Sequence, residues 1–259
     1  MPEISASAMV PPTGYPLGTN WPFKVFAKPV TALLNIWIKR DWHGMENIPA
    51  TGPVLIVSNH ISYADALVLA HYLYANGRAP RFLGKDSIFK VPVIGKIVKS
   101  AGQIPVQRGS DGASDALISG IKVLELGHCL VIYPEGTLTR DENYWPMVAK
   151  TGAARIAAAT KVPVIPIAHW GDQKLIPRYS KKLGLYKRHK VSVYAGKAID
   201  MSNWHGKMED QDAMREASAH IMREITKLLE GIRGESAPAT IFDPHTSGLP
   251  RFGNPKKAK

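Results

Sequence analysis

Three short runs constrain this chain more than anything else in it: VLIVS at 54–58, LVIY at 130–133 and VIPI at 164–167. Each is apolar almost throughout and rich in β-branched residues, so neither face of such a strand can be left to water. Strands covered on both faces need helices on both faces, and the sequence between them supplies the patterns. Residues 67–74, 93–101, 114–126 and 148–160 read as helices; Ser110 or Asp111 can cap the third, and Gly127 follows its end. Residues 80–83, 103–106 and 191–194 read as further short strands. Residues 208–233 read as a long amphipathic helix, with Met214, Ala217, Ile221, Ile225, Leu228 and Leu229 at helical spacing. The alternation predicts a single α/β domain with a mixed or mostly parallel sheet flanked by helices. An apolar fraction of 45% is enough to fill its core and excludes general disorder.

That domain is expected over 42–233. Before it, residues 1–20 carry six Pro and Gly residues and read as an irregular arm. Residues 21–41 form a membrane-interface helical segment in this reading: Trp21, Phe23, Phe26, Leu33, Leu34, Ile36 and Trp37 are interrupted by Lys24, Lys28 and Pro29 and closed by Lys39 and Arg40. An ordinary buried helix is the alternative, and Pro29 predicts a kink or two short helices. Residues 234–259 lose the pattern, end in lysines and are expected to be disordered. No stretch of about 18 apolar residues suggests a conventional transmembrane helix, and no secretory signal is expected. The single cysteine, Cys129, excludes a disulfide framework and a multi-thiolate zinc site, and its apolar run suggests a buried, inert thiol. The net charge of +12 calls for anionic partners, but no nucleic-acid module or organised basic helix is present.

The chemistry concentrates after the first apolar run, in Ser58-Asn59-His60-Ile61-Ser62-Tyr63-Ala64-Asp65. The carboxyl end of a buried strand is where open α/β sheets place ligand contacts. On one continuous helix a step of five puts two side chains about 140° apart. If His60 instead precedes the helix and Asp65 sits in its first turn, the carboxylate can reach back. It would then fix the imidazole tautomer and leave the other ring nitrogen as a general base. Asp65 could also be simply a helix-start acid favoured by the dipole. No G-x-S-x-G elbow supplies a nucleophile, so the base would activate a substrate hydroxyl, which points to group transfer.

Asn59-His60 followed by Asp65 resembles the H-x₄-D motif of the glycerolipid acyltransferase family, which includes 1-acylglycerol-3-phosphate acyltransferases. Three further blocks follow in the family's order: Gly102-Gln103-Ile104-Pro105-Val106-Gln107-Arg108, Tyr133-Pro134-Glu135-Gly136-Thr137, and Val162-Pro163-Val164-Ile165-Pro166-Ile167. The lead-in Gly44-Met45-Glu46-Asn47-Ile48-Pro49 also matches. The resemblance implies that His60 deprotonates a glycerol hydroxyl and Asp65 orients it. It implies that Arg108, Glu135, Gly136 and Thr137 shape the pocket of a phosphorylated acceptor, Arg108 meeting the phosphate. A guanidinium fork suits that role, and a Gly-Thr step can bring an N–H and a hydroxyl to an anion. Lys85 and Lys150 are further phosphate candidates or plain surface lysines. Leu138 stands where family members often carry arginine, which makes Arg140 the substitute candidate or leaves the acceptor held differently.

The implied reaction moves a fatty acyl group from acyl-CoA or acyl carrier protein to lysophosphatidic acid (1-acylglycerol 3-phosphate), giving phosphatidic acid. It would run at the cytoplasmic face of the cell membrane, with the protein peripheral or monotopic on the phospholipid surface. Such attack on a thioester needs no metal or cofactor, and the sequence offers no convincing metal cluster. Glycerol 3-phosphate, another lysophospholipid or a polyol stay open as acceptors, and a non-catalytic lipid-surface protein of the same fold is the rival reading. Acyl chain length, sn-position, donor carrier and oligomeric state stay open.

Overall fold

The computed structural model of the chain describes residues 8–106, 110–180, 183–244 and 246–248. In chain order its elements are α1 (Trp21–Trp37), β1 (Ile38–His43), β2 (Val54–Ser58), α2 (Asp65–Ala75), β3 (Pro80–Lys85), α3 (Asp86–Phe89), α4 (Ile94–Ser100) and β4 (Ile104–Val106). They continue with α5 (Ser110–Glu125), β5 (Cys129–Ile132), α6 (Gly152–Thr160), β6 (Val164–Trp170), β7 (His189–Ala195) and α7 (Gln211–Arg233). The seven strands form one sheet in the order β1-β7-β6-β2-β5-β3-β4. All neighbouring pairs are parallel except β6 and β7.

The three most apolar runs lie side by side at its centre, as their composition requires. Ile56 of β2 is opposite Val131 of β5 and Ile165 of β6. Alternation divides their side chains between two cores. Leu55, Val57, Leu130 and Val164 pack under α5, α6 and α7. Val54, Ile56, Val131 and Ile165 pack on the other face with Val68, Leu69, Tyr72 and Leu73 of α2. Val54, Leu55, Ile56 and Val57 are fully buried, each burial worth roughly 1.5–3 kcal/mol. That packing fixes the strand from which His60 emerges. The Cys129 thiol is buried in β5, and burial pushes its pKa up to about 11.

Several expectations change. Residues 38–43, read as the charged end of the N-terminal segment and the start of the domain, are the edge strand β1, pairing with β7 from Ile38↔His189 to His43↔Tyr194. The sheet therefore begins before residue 42 and follows α1 without a linker. α1 is one helix rather than two; Pro29 and the preceding-turn residue Val25 are both exposed, so the carbonyl that loses its N–H partner is open to solvent. Residues 148–151 are not helical, because their amides are used elsewhere: Val148 N–H donates to the Phe242 carbonyl and Lys150 N–H to that of Pro134. The first of these bonds also anchors Phe242, within the stretch that the sequence assigns to a disordered tail. The described part of the N-terminal arm is irregular but packed, with Leu17 bridging Arg78 and the Gly18 carbonyl accepting from the buried Arg81 guanidinium.

Candidate active site

β2, β5 and β6 all end on the same edge of the sheet, and the residues that follow them converge. His60 lies two residues beyond β2, and Asp65 is the first residue of α2. The carboxylate reaches back: His60 Nδ1 is 2.8 Å from Asp65 Oδ2, and the same oxygen accepts the Ile61 N–H at 2.6 Å and the Ser62 N–H at 2.8 Å. A carboxylate only accepts, so Nδ1 carries the hydrogen and Nε2 presents its lone pair. Asp65 is fully buried, whereas the His60 side chain keeps 22% of its surface exposed. The imidazole stacks on the Tyr133 ring, 4.2 Å between centroids and 13° between planes.

The His60 backbone is held from both sides. Its N–H donates to Glu135 Oε1 at 2.9 Å, and its carbonyl accepts from the Thr139 N–H at 2.7 Å. The other Glu135 oxygen accepts from the Met147 N–H at 3.2 Å. Glu135 is thus a buried strut between His60 and the 145–148 loop. Burial pushes its carboxyl up to about 8, although both backbone hydrogen bonds favour the ionised form. Gly136 turns the chain at φ +69°, and a Cβ there would meet the Lys150 side chain at 3.1 Å. The glycine leaves Lys150 room to lie across the turn. Thr137 is half-buried beside it, while Leu138 and Arg140 are buried. Arg140 faces the Tyr179 hydroxyl.

The remaining anion candidates sit at the next strands of the same edge. Lys85 closes β3, is exposed, and pairs in register with Val106 at the end of β4. Arg108, two positions further on in the sequence, lies outside the described residues. The structure thus brings His60, Asp65, Glu135, Gly136 and Lys150 together, with Thr137 beside them.

Sequence reasoning missed a third contributor, the end of β6. His169 N–H donates to Asn59 Oδ1 at 3.0 Å, Asn59 Nδ2 donates to the His169 carbonyl at 3.1 Å, and His169 Nε2 donates to the Asn59 carbonyl at 2.7 Å. On its far side His169 Nδ1 is 2.9 Å from Asp172 Oδ2, and both side chains are fully buried. The available signal is a histidine breaking a wholly apolar strand, with an acid three positions on.

A mostly parallel α/β sheet carries at its carboxyl edge a His–Asp dyad whose geometry leaves one imidazole nitrogen able to accept a proton. A model of the Acyltransferase family matches residues 39–170, just over half of the chain, and the chain belongs to that family. Among its relatives, a chloroplastic 1-acyl-sn-glycerol-3-phosphate acyltransferase of Brassica napus is 34% identical over 163 residues, covering 62% of this chain and 45% of that protein. A second chloroplastic enzyme of that description, from Arabidopsis thaliana, is 32% identical over 66% of this chain and 45% of its own length. The chain therefore spans about half the length of these plant relatives. The 1-acyl-sn-glycerol-3-phosphate acyltransferase of Bacillus subtilis is 26% identical over 80% of this chain and 98% of its own. The crystal structure of the 1-acyl-sn-glycerophosphate acyltransferase PlsC from Thermotoga maritima superposes with a TM-score of 0.61 at 20% identity, covering 83% of both chains, and shares the fold.

Proposed function

We propose that the protein is an O-acyltransferase that moves a fatty acyl group from acyl-CoA or acyl carrier protein to the free hydroxyl of 1-acylglycerol 3-phosphate, giving phosphatidic acid. The observation that carries this reading is the His60–Asp65 contact of 2.8 Å, which leaves the other imidazole nitrogen free as a base at the sheet edge. Its relatives' acceptor, 1-acyl-sn-glycerol 3-phosphate, supports the choice of substrate.

His60 Nε2 takes the proton as the acceptor oxygen bonds to the thioester carbonyl carbon. The buried Asp65 carboxylate stabilises the imidazolium, as in other His–acid dyads. When the C–S bond breaks, the same imidazolium returns the proton to the departing thiolate, so the base is regenerated without any resident cofactor. Hydrogen bonds of the His60 backbone, its N–H donating to the Glu135 carboxylate and its carbonyl accepting from the Thr139 N–H, keep the ring from drifting off the reacting hydroxyl. Arg108, Lys85, Lys150 and Arg140 supply the positive charge for the acceptor phosphate.

The acceptor is a membrane lipid, and the outer side of α1 suits docking on a bilayer surface. Trp21 is 77% exposed, and with Val25, Leu33 and Ile36 it forms one uncovered apolar stripe at helical spacing. The opposite side of α1 is packed, Phe23 stacking on Tyr74 and Leu34 joining the core. Exposed Val91, Val93 and Ile94 lie at the start of α4, which contacts α1. Among the described residues no helix is long and apolar enough to cross a membrane. Peripheral docking on the cytoplasmic leaflet, through this stripe and the basic charge, fits these features.

The test is a panel of lysophospholipid and polyol acceptors with acyl thioester donors, read by thiol release and product mass spectrometry. Phosphatidic acid should be the dominant product, and His60→Ala should lose about 10²–10⁴-fold in rate. Retention of more than a tenth of the wild-type rate in that variant would sink the mechanism.

A further inference from the structure

The dyad stands in front of a second, wholly buried His–Asp pair that the mechanism above does not use. His169 Nε2 lies 3.9 Å from Asp65 Oδ2, the oxygen that also accepts from the His60 ring. Its hydrogen is committed to the Asn59 carbonyl, and its Nδ1 meets the Asp172 carboxylate at 2.9 Å. A carbonyl and a carboxylate both only accept, so the ring nitrogens need a proton each or Asp172 must carry one. The Asp172 carboxylate has this ring 2.9 Å away as its nearest positive charge, which leaves the imidazole as the group that balances it.

We infer that His169 and Asp172 are positioning residues: a buried imidazolium–carboxylate pair that keeps Asp65 ionised in a dry site and thereby sets the basicity of His60. The inference deepens the acyl-transfer reading and rests on it for its kinetic part only. An isolated carboxylate at zero exposure would take up a proton rather than remain charged. Asp65 receives two backbone N–H bonds on Oδ2, and the His169 cation adds opposite charge 3.9 Å from the same oxygen. Burial opposes charge on His169, but Asp172 and then Asp65 outweigh it and hold the ring up at about 9. Burial also raises Asp172 against the pull of His169, so the pair retains its shared proton through neutral pH.

The other groups around this pair come from every neighbouring element. Glu135, after β5, is close enough for its ionisation to feel His169, and the buried Tyr133 hydroxyl feels both Asp65 and Asp172. From β7, Val193 is opposite His169 and brings no charge. Asp65, His169 and Asp172 also lie close enough together to hold a metal ion, a competing use of the same side chains that the test must separate.

The experiment uses the full chain. First, nitrogen-15 spectra of the wild-type histidine rings, assigned by substitution, should show His169 doubly protonated from pH 5 to beyond pH 8. Titration of His169 near the ordinary value of about 6.5 would overturn the proposal whatever the activity. Second, His169→Gln removes the cation that keeps Asp65 ionised, so the protonated His60 ring loses its counter-charge and the acid limb of the kcat/KM–pH profile should move down; an unmoved limb with only a loss of stability would mean a packing role and refute the assignment. Loss of wild-type activity to a chelator with rescue by a divalent cation would refute it in favour of a metal site. Absence of acyl transfer in the wild type would instead strike the functional reading, while the spectra still decide this one.

Discussion

Asp65→Asn isolates the electrostatic part of the dyad from its geometric part. In many His–acid pairs an amide presents its NH₂ to the ring and inverts the tautomer, at a large cost in rate. Here Ile61 and Ser62 both donate N–H to Oδ2, at 2.6 and 2.8 Å, so the asparagine oxygen is drawn to that position and the nitrogen to the other. His60 Nδ1 would then still donate to an oxygen and keep Nε2 free. What disappears is the negative charge beside the imidazolium, so kcat should fall by about 10²-fold or more with KM little changed. The acid limb of the pH–rate profile should move down, because the protonated ring loses its counter-charge. The new NH₂ takes the place of Oδ1, which is buried without a hydrogen-bond partner, so stability should drop by about 1–3 kcal/mol. Thiol-release kinetics across pH, with thermal melts on the same samples, measure both. A kcat within threefold of wild type would refute the role assigned to Asp65. A loss that falls mainly on acceptor KM would show that it shapes the pocket instead.

Arg108→Ala should weaken the phosphorylated acceptor by roughly 1.5–3 kcal/mol while leaving donor KM less changed, and equal losses with phosphorylated and unphosphorylated acceptors would remove Arg108 from phosphate reading. Arg140→Ala, assayed the same way, tests whether that buried guanidinium replaces the arginine absent at Leu138. Changing the exposed stripe Trp21, Val25, Leu33 and Ile36 to Ser should release the protein from anionic vesicles while preserving turnover of short-chain, soluble acceptors; unchanged sedimentation would place docking elsewhere. Stability should peak near pH ~6.5 and fall on both sides. Burial depresses His71 and His128 to about 4, so their contribution is lost as pH falls from 6.5 through 4. Glu135 and His169, raised to about 8 and 9, contribute most below their unfolded values and lose it as pH rises through 8 and 9. A urea midpoint that still climbs between pH 7 and 9 would contradict these assignments.

What the sequence made legible follows from how local each signal is. β2, β5 and β6 announce themselves because burial on both faces leaves no polar residue to confuse the pattern. β1 does not: its IKRDWH is an edge strand whose charges face outward, and it directly continues an amphipathic helix. The step from His60 to Asp65 was readable because the contact spans five residues and one helix start. The roles of Asn59, His169 and Asp172 were not, since they exist only where β6 comes to lie beside β2, and a histidine in an apolar run gives no hint of what it will face. Glu135 was visible as part of a motif, but its use as a strut on the His60 amide depends on a backbone contact 75 residues away.

That distance bears on how the site comes into being during folding. The Glu135 bond to His60 closes a loop of 75 residues, and the Asn59–His169 bonds close loops of 110. No helix, hairpin or consecutive strand pair contains the arrangement, so loop-closure entropy must be overcome twice before the base is aligned. A nascent chain that has not yet extended past β6 has the dyad's residues and Glu135 but lacks the clamp that β6 supplies through His169. Amide exchange at His60 and His169 should therefore report opening of the whole central sheet rather than local fraying, and both should exchange at the slow, global rate.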